Sequence, residues 1–161
     1  MTRIDAPVGS AENPVPRRAA RVLLIDAADR VLLFHGFDPH RPDVRYWFTV
    51  GGGLDPDERP AEGAVRELRE ETGLSVTVEQ LGEAVWHETT QFPFEGVWYQ
   101  QEQDYFAVRV PTWQVTVDGF GEVERRSIDG HRWWTVPELL STSDRVYPPN
   151  LPSLLRGILG T

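Results

Sequence analysis

The chain has no cysteine, which removes disulfides and thiolate metal sites and leaves its redox compartment unreadable. It has no basic excess either: 25 Asp and Glu stand against 16 Lys and Arg, a net charge of −9. A protein that grips a polynucleotide backbone needs a basic surface, so that class is set aside. No apolar run approaches the length of a membrane span, and the opening MTRIDAPVGSAENPVPRR lacks the apolar centre of a secretion signal. A soluble, cytoplasmic protein is therefore expected, with no membrane partner. There is no internal repeat and no low-complexity tract. With 161 residues and 40% hydrophobic content, one proper core can be buried, and a second domain is not expected.

What is present concentrates between Gly52 and Leu74, GGLDPDERPAEGAVRELREETGL. Ala61, Ala64, Val65 and Leu68 recur at i, i+3, i+4 and i+7, one apolar helix stripe. Pro60 suits a first helical turn, where its missing N–H would have no partner anyway. Gly73 is a natural stop, because it accepts the left-handed conformation without steric cost. A helix over about 60–72 is predicted. Glu67, Glu70 and Glu71 crowd its other side at i, i+3 and i+4, which destabilises an isolated helix by about 0.2–0.5 kcal/mol per like-charged pair. Gly63, one turn earlier, costs up to ~1 kcal/mol relative to Ala. Both penalties are explained if a divalent cation binds the carboxylates and a ligand passes over the glycine. Hard oxygen donors of this kind suit Mg²⁺, Mn²⁺ or Ca²⁺. A solvated acidic helix face is the plainer reading of three glutamates taken alone.

The whole stretch decides between these readings. Gly52, Glu58, Arg66, Glu67, Leu68, Glu70, Glu71, Gly73 and Leu74 together resemble the Nudix box, the signature of the Nudix hydrolase superfamily, with no core position missing. The resemblance implies an α/β fold, the Nudix-type α/β/α sandwich with a central mixed β-sheet. It implies an Mg²⁺-dependent pyrophosphohydrolase, with Mn²⁺ as a substitute, acting on a phosphoanhydride bond of a nucleoside diphosphate linked to another group. Glu67, Glu70 and Glu71 are the expected metal ligands, joined by a backbone carbonyl at Gly51 or Gly52. Arg66 is expected to pair with Glu58 and hold the loop against the helix, and Gly52, Glu58, Arg66 and Gly73 form the structural part of the box. The base that activates water is expected at Glu67, or at Glu122 or Glu124 in a later loop. The partner implied is a small-molecule nucleoside diphosphate derivative, with no nucleic acid polymer and a possible homodimer. A catalytically silent nucleotide-binding or sensing module is the second reading. A structural Ca²⁺ site is the third, but the Asp-rich twelve-residue loop of an EF-hand is missing. Val50 and Asp57 stand where family members commonly have proline and glycine, both outside the core pattern. The substrate within the class is not legible; no SQPWPFPxS-type run of the NADH pyrophosphatases occurs.

Around the box, residues 1–16 are expected as a flexible arm and 17–161 as a single domain. Strands are expected at Ala19–Ile25, Arg30–His35, Tyr46–Val50, Leu74–Val78, Ala84–Thr89, Tyr105–Val110 and His131–Val136, with a hairpin through Ala27–Asp29. Residues 36–45 and 119–130 read as loops, the first bringing Arg41 and Arg45 toward phosphates or leaving them in solvent. His35 is expected to pack at a rim. Residues 91–96 form the far end of a hairpin, and 51–53 a strand-to-loop transition where backbone approaches something closely. Thr135 and Glu138 form a capping box, and Asn150 caps a helix over 151–159. Trp133 and Trp134 should face opposite sides of the sheet.

Overall fold

In the computed structural model, which describes residues 6–161, the two apolar runs flanking Ala27 become β1 (Val15–Ile25) and β2 (Val31–Asp38). Buried Asp26 makes the turn between them: its carboxylate accepts from the backbone N–H of Ala28 and Arg30 and from the Arg30 guanidinium. β1 takes in Val15 and Pro16, the end of the stretch expected as an arm. Ala6 is buried, and the Gly9 carbonyl accepts from the Trp98 N–H, so residues 6–14 lie against the fold; Met1–Asp5 fall outside the described residues.

The expected loop 36–45 is largely strand. β3 runs from Arg41 to Gly53, leaving only two residues between it and β2. Polar residues misled the reading here, because the pairing is stabilised by the Arg45 guanidinium lying 4.0 Å over the Phe37 ring, its partner in register. Pro42 is tolerated because the far edge of β3 is paired only at Trp47 and Phe48, by β7 (Val146–Tyr147). β3 stays extended through all three glycines and pairs with β1 there.

The helix predicted at 60–72 is α1 (Pro60–Thr72), and Gly73 ends it at φ 82° with its N–H donating to the Arg69 carbonyl. The strand expected at 74–78 is absent. Thr77 and Gln80 instead exchange hydrogen bonds in a capping box that opens α2 (Val78–Leu81), overriding the alternation of Leu74, Val76 and Val78. β4 (Trp86–Phe94) and β5 (Val97–Arg109) form a hairpin turning at Glu95 and Gly96. The segment 119–130, expected as a flexible loop, holds α3 (Glu122–Ser127) and the start of β6 (Ile128–Trp134). α4 (Val136–Ser141) opens with the Thr135–Glu138 box. α5 (Leu151–Leu159) closes the chain; the Asn150 side chain makes no capping bond.

The seven strands form one mixed sheet in the order β4-β5-β1-β2-β3-β7, with β6 along β2 and parallel pairing of β1 with β5. Alternate residues of β1 face opposite layers. Val22 and Leu24 pack with Ala64 and Leu68 of α1; Leu23 and Ile25 pack with Leu139, Leu151 and Leu155 of α4 and α5. Trp134 is buried in the second layer and Trp133 packs against the first. The result is an α/β sandwich with helices on both faces of the sheet.

Gly63 is crowded by the protein itself. A Cβ there would lie 2.2 Å from Leu54 Cδ2 and 3.0 Å from Glu58 Oε1, so the loop before α1 is what passes over it. Gly63→Ala should therefore lower the melting temperature by an amount corresponding to about 1 kcal/mol, even though alanine is favoured in helices by ~1 kcal/mol, because overpacking typically costs 1–3 kcal/mol. A thermal melt at or above that of the parent would show that the loop gives way.

Candidate active site

Two backbone–side-chain contacts bind α1 to the end of β3. Gly51 has φ 137°, and a Cβ on it would sit 2.1 Å from the Ala20 carbonyl oxygen, so only glycine fits. Its N–H donates to Glu71 Oε1 at 2.7 Å. A Cβ on Gly52 would meet Glu67 Oε1 at 2.8 Å, and one on Gly53 would meet Arg17 Nη2 at 2.7 Å. Each glycine of the triplet thus admits a different neighbour: the backbone of β1, a carboxylate and a guanidinium.

Glu67 and Glu71 are buried, at 8% and 2% exposure, although both were expected on a face away from the core. Burial pushes the Glu71 carboxyl well above the ordinary carboxylate range, and the neighbouring Glu67 adds to it; the Gly51 N–H only partly offsets this. Glu67 is raised as well, first by burial, with Arg66 pulling the other way. The pair therefore calls for positive charge.

Arg66 supplies some of it. Its Nε and Nη2 fork onto the two oxygens of Glu58, both at 2.9 Å, and Nη2 also donates to the Gly53 carbonyl at 3.0 Å. Its Nη1 donates to Glu67 Oε1 at 3.0 Å and Glu70 Oε2 at 3.2 Å. Hydrogen bonds from Arg66 hold the Glu58 carboxyl below its usual value. Among the described residues no three acidic or histidine side chains form a ready-made metal cage. Arg66 bonds both Glu67 and Glu70. The donors left over are still hard carboxylate oxygens, two of them on buried side chains, and these suit Mg²⁺. Glu67, Glu70 and Glu71 could hold such an ion in competition with Arg66.

Glu67, Glu70 and Glu71 line a cleft of about 870 Å³, together with Arg17 and Arg21 from β1 and aromatic side chains that include Phe48 and Trp98. Arg21 is anchored by Nη1 to the Thr49 and Gly51 carbonyls. Arg17 makes no hydrogen bond or ion pair among the described residues; its guanidinium lies 5.6 Å from the Tyr99 ring centroid. Burial and the neighbouring Arg21 lower its pKa, as expected for a cation facing a space built for an anion.

Comparison with known proteins places this arrangement. The family model of the NUDIX domain matches residues 15–154. The chain belongs to the Nudix family. A curated relative, an RNA pyrophosphohydrolase of Sulfurovum sp. (strain NBC37-1), is 39% identical over 84 residues, covering 46% of this chain and 50% of that protein. The chain matches half or less of the length of its curated relatives. Among solved structures, a MutT protein from Methanosarcina mazei Go1 superposes with a TM-score of 0.66 at 16% identity, covering 91% of this chain and 95% of that one. An Ap4A hydrolase from C. elegans does so with a TM-score of 0.56 at 21% identity, covering 89% and 96%. At such identities the structures share the Nudix fold.

The other candidate residues of this Nudix domain separate clearly. Glu124 lines the cleft and its charge helps raise Glu71, whereas Glu122, in the first turn of the same short helix, is exposed and outside it. Arg41 lines the cleft. Arg45 does not; it pairs with Asp129, which also takes His35 Nδ1 at 2.6 Å. His35 stacks on Trp47 with ring centroids 4.6 Å apart, a packed rim position. Sequence reading missed Arg17, Arg21, Gln101 and Gln103. The available signal was period-two placement: Arg17, Arg21 and Leu23 share one side of β1, and Gln101, Gln103 and Tyr105 one side of β5. No helix among the described residues is long and apolar enough to cross a membrane.

Proposed function

We propose that the chain is an Mg²⁺-dependent pyrophosphohydrolase cleaving a phosphoanhydride bond of a nucleoside diphosphate linked to another group, with Mn²⁺ as a substitute. The observation that carries this reading is the pair of buried carboxylates, Glu67 and Glu71, both raised by burial, in a cleft that Arg17 and Arg21 also line. Such acids are stable as anions only beside a cation, and such arginines only beside an anion. A magnesium phosphoanhydride satisfies both.

In this reading Glu67, Glu70 and Glu71 would hold the metal, with the Gly52 carbonyl as the further donor, because the Gly51 carbonyl already accepts from Arg21. Bound Mg²⁺ would neutralise phosphate charge and lower the pKa of the attacking water. Arg17 and Arg21 take the phosphates, and Arg66 keeps the Glu58 loop on α1. Glu124 or Glu67 accepts the proton of the attacking water. The relative named RNA pyrophosphohydrolase points to the same bond class.

Phosphate release with Mg²⁺ over ADP-ribose, nucleotide sugars, nucleoside triphosphates and dinucleoside polyphosphates tests the proposal. Nucleotide binding with no turnover of any of them would favour the silent sensing module instead. For the base, Glu124→Gln should reduce kcat by about 10²-fold or more, within the usual range for general-base loss. Glu122→Gln should leave kcat within about twofold, since surface changes away from a site are close to neutral. Equal, full activity of both would return the base to α1.

A further inference from the structure

The wall of the cleft formed by β5 carries amides where a core strand would carry apolar side chains. Gln101 and Gln103 are 1% and 6% exposed, beside Tyr105 on the same side of the strand. Buried amides are tolerated when their polar atoms are bonded. Those of Gln103 all are. Its Oε1 accepts from Arg21 Nε at 3.3 Å and from Gln101 Nε2 at 2.8 Å. Its Nε2 donates to Glu88 Oε2 at 2.6 Å and to the Tyr105 hydroxyl oxygen at 3.1 Å, and that hydroxyl donates to Glu88 in turn.

This chain of bonds has a direction. Turning the Gln103 amide over would put its NH₂ against the Arg21 guanidinium, donor against donor, and its oxygen against the Glu88 carboxylate. Gln103 is therefore locked, and it locks Gln101, whose NH₂ must face the Gln103 oxygen. Gln101 Oε1 is left facing elsewhere. It is buried and has no hydrogen-bond partner among the described residues. Its partners in register, Arg17 of β1 and Thr90 of β4, line the cleft with it. Arg17 lies over Tyr99, and neither side chain bonds this oxygen.

We propose that Gln101 Oε1 is a specificity contact: it accepts a hydrogen bond from an O–H or N–H on the non-reacting part of the substrate, a sugar hydroxyl or a base amino group. The inference rests on the nucleotide reading above. A phosphate cannot be the group that meets it, because two acceptors repel; the phosphates belong with Arg17 and Arg21. A ligand that offers a donor here makes a bond that one without it cannot make, so the second is bound less tightly.

The test is the variant Gln101→Met, of equal length and without the acceptor. Titration calorimetry with Mg²⁺ would compare AMP, GMP and CMP with their 2′- and 3′-deoxy forms, and with IMP and UMP, which lack the exocyclic amine. The wild-type chain is expected to prefer one parent nucleotide over its donor-deficient analogue by about tenfold or more. The analogue that loses affinity identifies sugar or base as the source. Gln101→Met should lose the preference; because it also removes the bond to Gln103, the melting temperature does not enter the test. An unchanged preference in the variant, or no binding of any of these by the wild type, would overturn the inference. Monophosphates need not be cleaved to be bound. A chain that hydrolyses nothing would sink the hydrolase reading while still reporting on Gln101.

Discussion

Glu71→Gln is expected to cut turnover at saturating Mg²⁺ by at least about a hundredfold, the cost of losing a well-placed electrostatic group, and to raise the melting temperature of the metal-free chain. Both follow from one fact: the carboxylate is buried at 2% exposure beside a second one. The amide keeps an oxygen for the Gly51 N–H and sheds the charge. The pH dependence gives the sign. Unfolded glutamate ionises near 4.3, while folded Glu71 is raised well above the ordinary range. Its contribution to stability is therefore complete below the ordinary value and lost as pH rises through the raised one. The gap in melting temperature between Glu71→Gln and the metal-free parent should widen from acid to neutral pH, and Mg²⁺ should close it from the parent's side. A variant less stable than the parent at neutral pH without metal would remove Glu71 from this role.

Arg66→Ala should be the most damaging change for the fold of the site. It would leave Glu58 and Glu67, at 13% and 10% side-chain exposure, without their guanidinium. Breaking one partner of a largely buried pair costs roughly 3 kcal/mol, so a large drop in melting temperature should accompany lost activity. Lysine should rescue little of it, since a point charge cannot fork onto both Glu58 oxygens and the Gly53 carbonyl at once. An unchanged melting temperature with lost activity would instead put Arg66 on the substrate.

How much of this was legible in the sequence depended on where the information was local. α1 was, because period 3.6, an initial proline and a terminal glycine agree over 13 residues. Arg66 and Glu58 came from the resemblance, eight residues apart. The recognition wall was not legible. Tyr99–Asp104, YQQEQD, is polar on both faces of β5, and nothing local marks Gln101 and Gln103 as the buried pair. α3 was hidden because four of its six residues are charged, leaving no apolar stripe to read. The arginines of β1 look like gaps in a hydrophobic strand; only the cleft gives them an object.

Three distant tips meet at a single acid. Asp38, at the end of β2, takes the Glu95 N–H on both carboxylate oxygens, and the Glu95 side chain is gripped by Arg126 of α3 at 2.6 and 3.0 Å. An exposed pair of this sort is screened by solvent and contributes little. The helix that carries Glu124 is thus tethered to the β4–β5 hairpin by a latch that thermal motion can open, while the carboxylates of α1 stay fixed in the core. Ionic strength screens exposed pairs and leaves buried ones largely alone, so added salt is expected to loosen the hold of the hairpin on α3 without touching the charges that Arg66 and Gly51 hold.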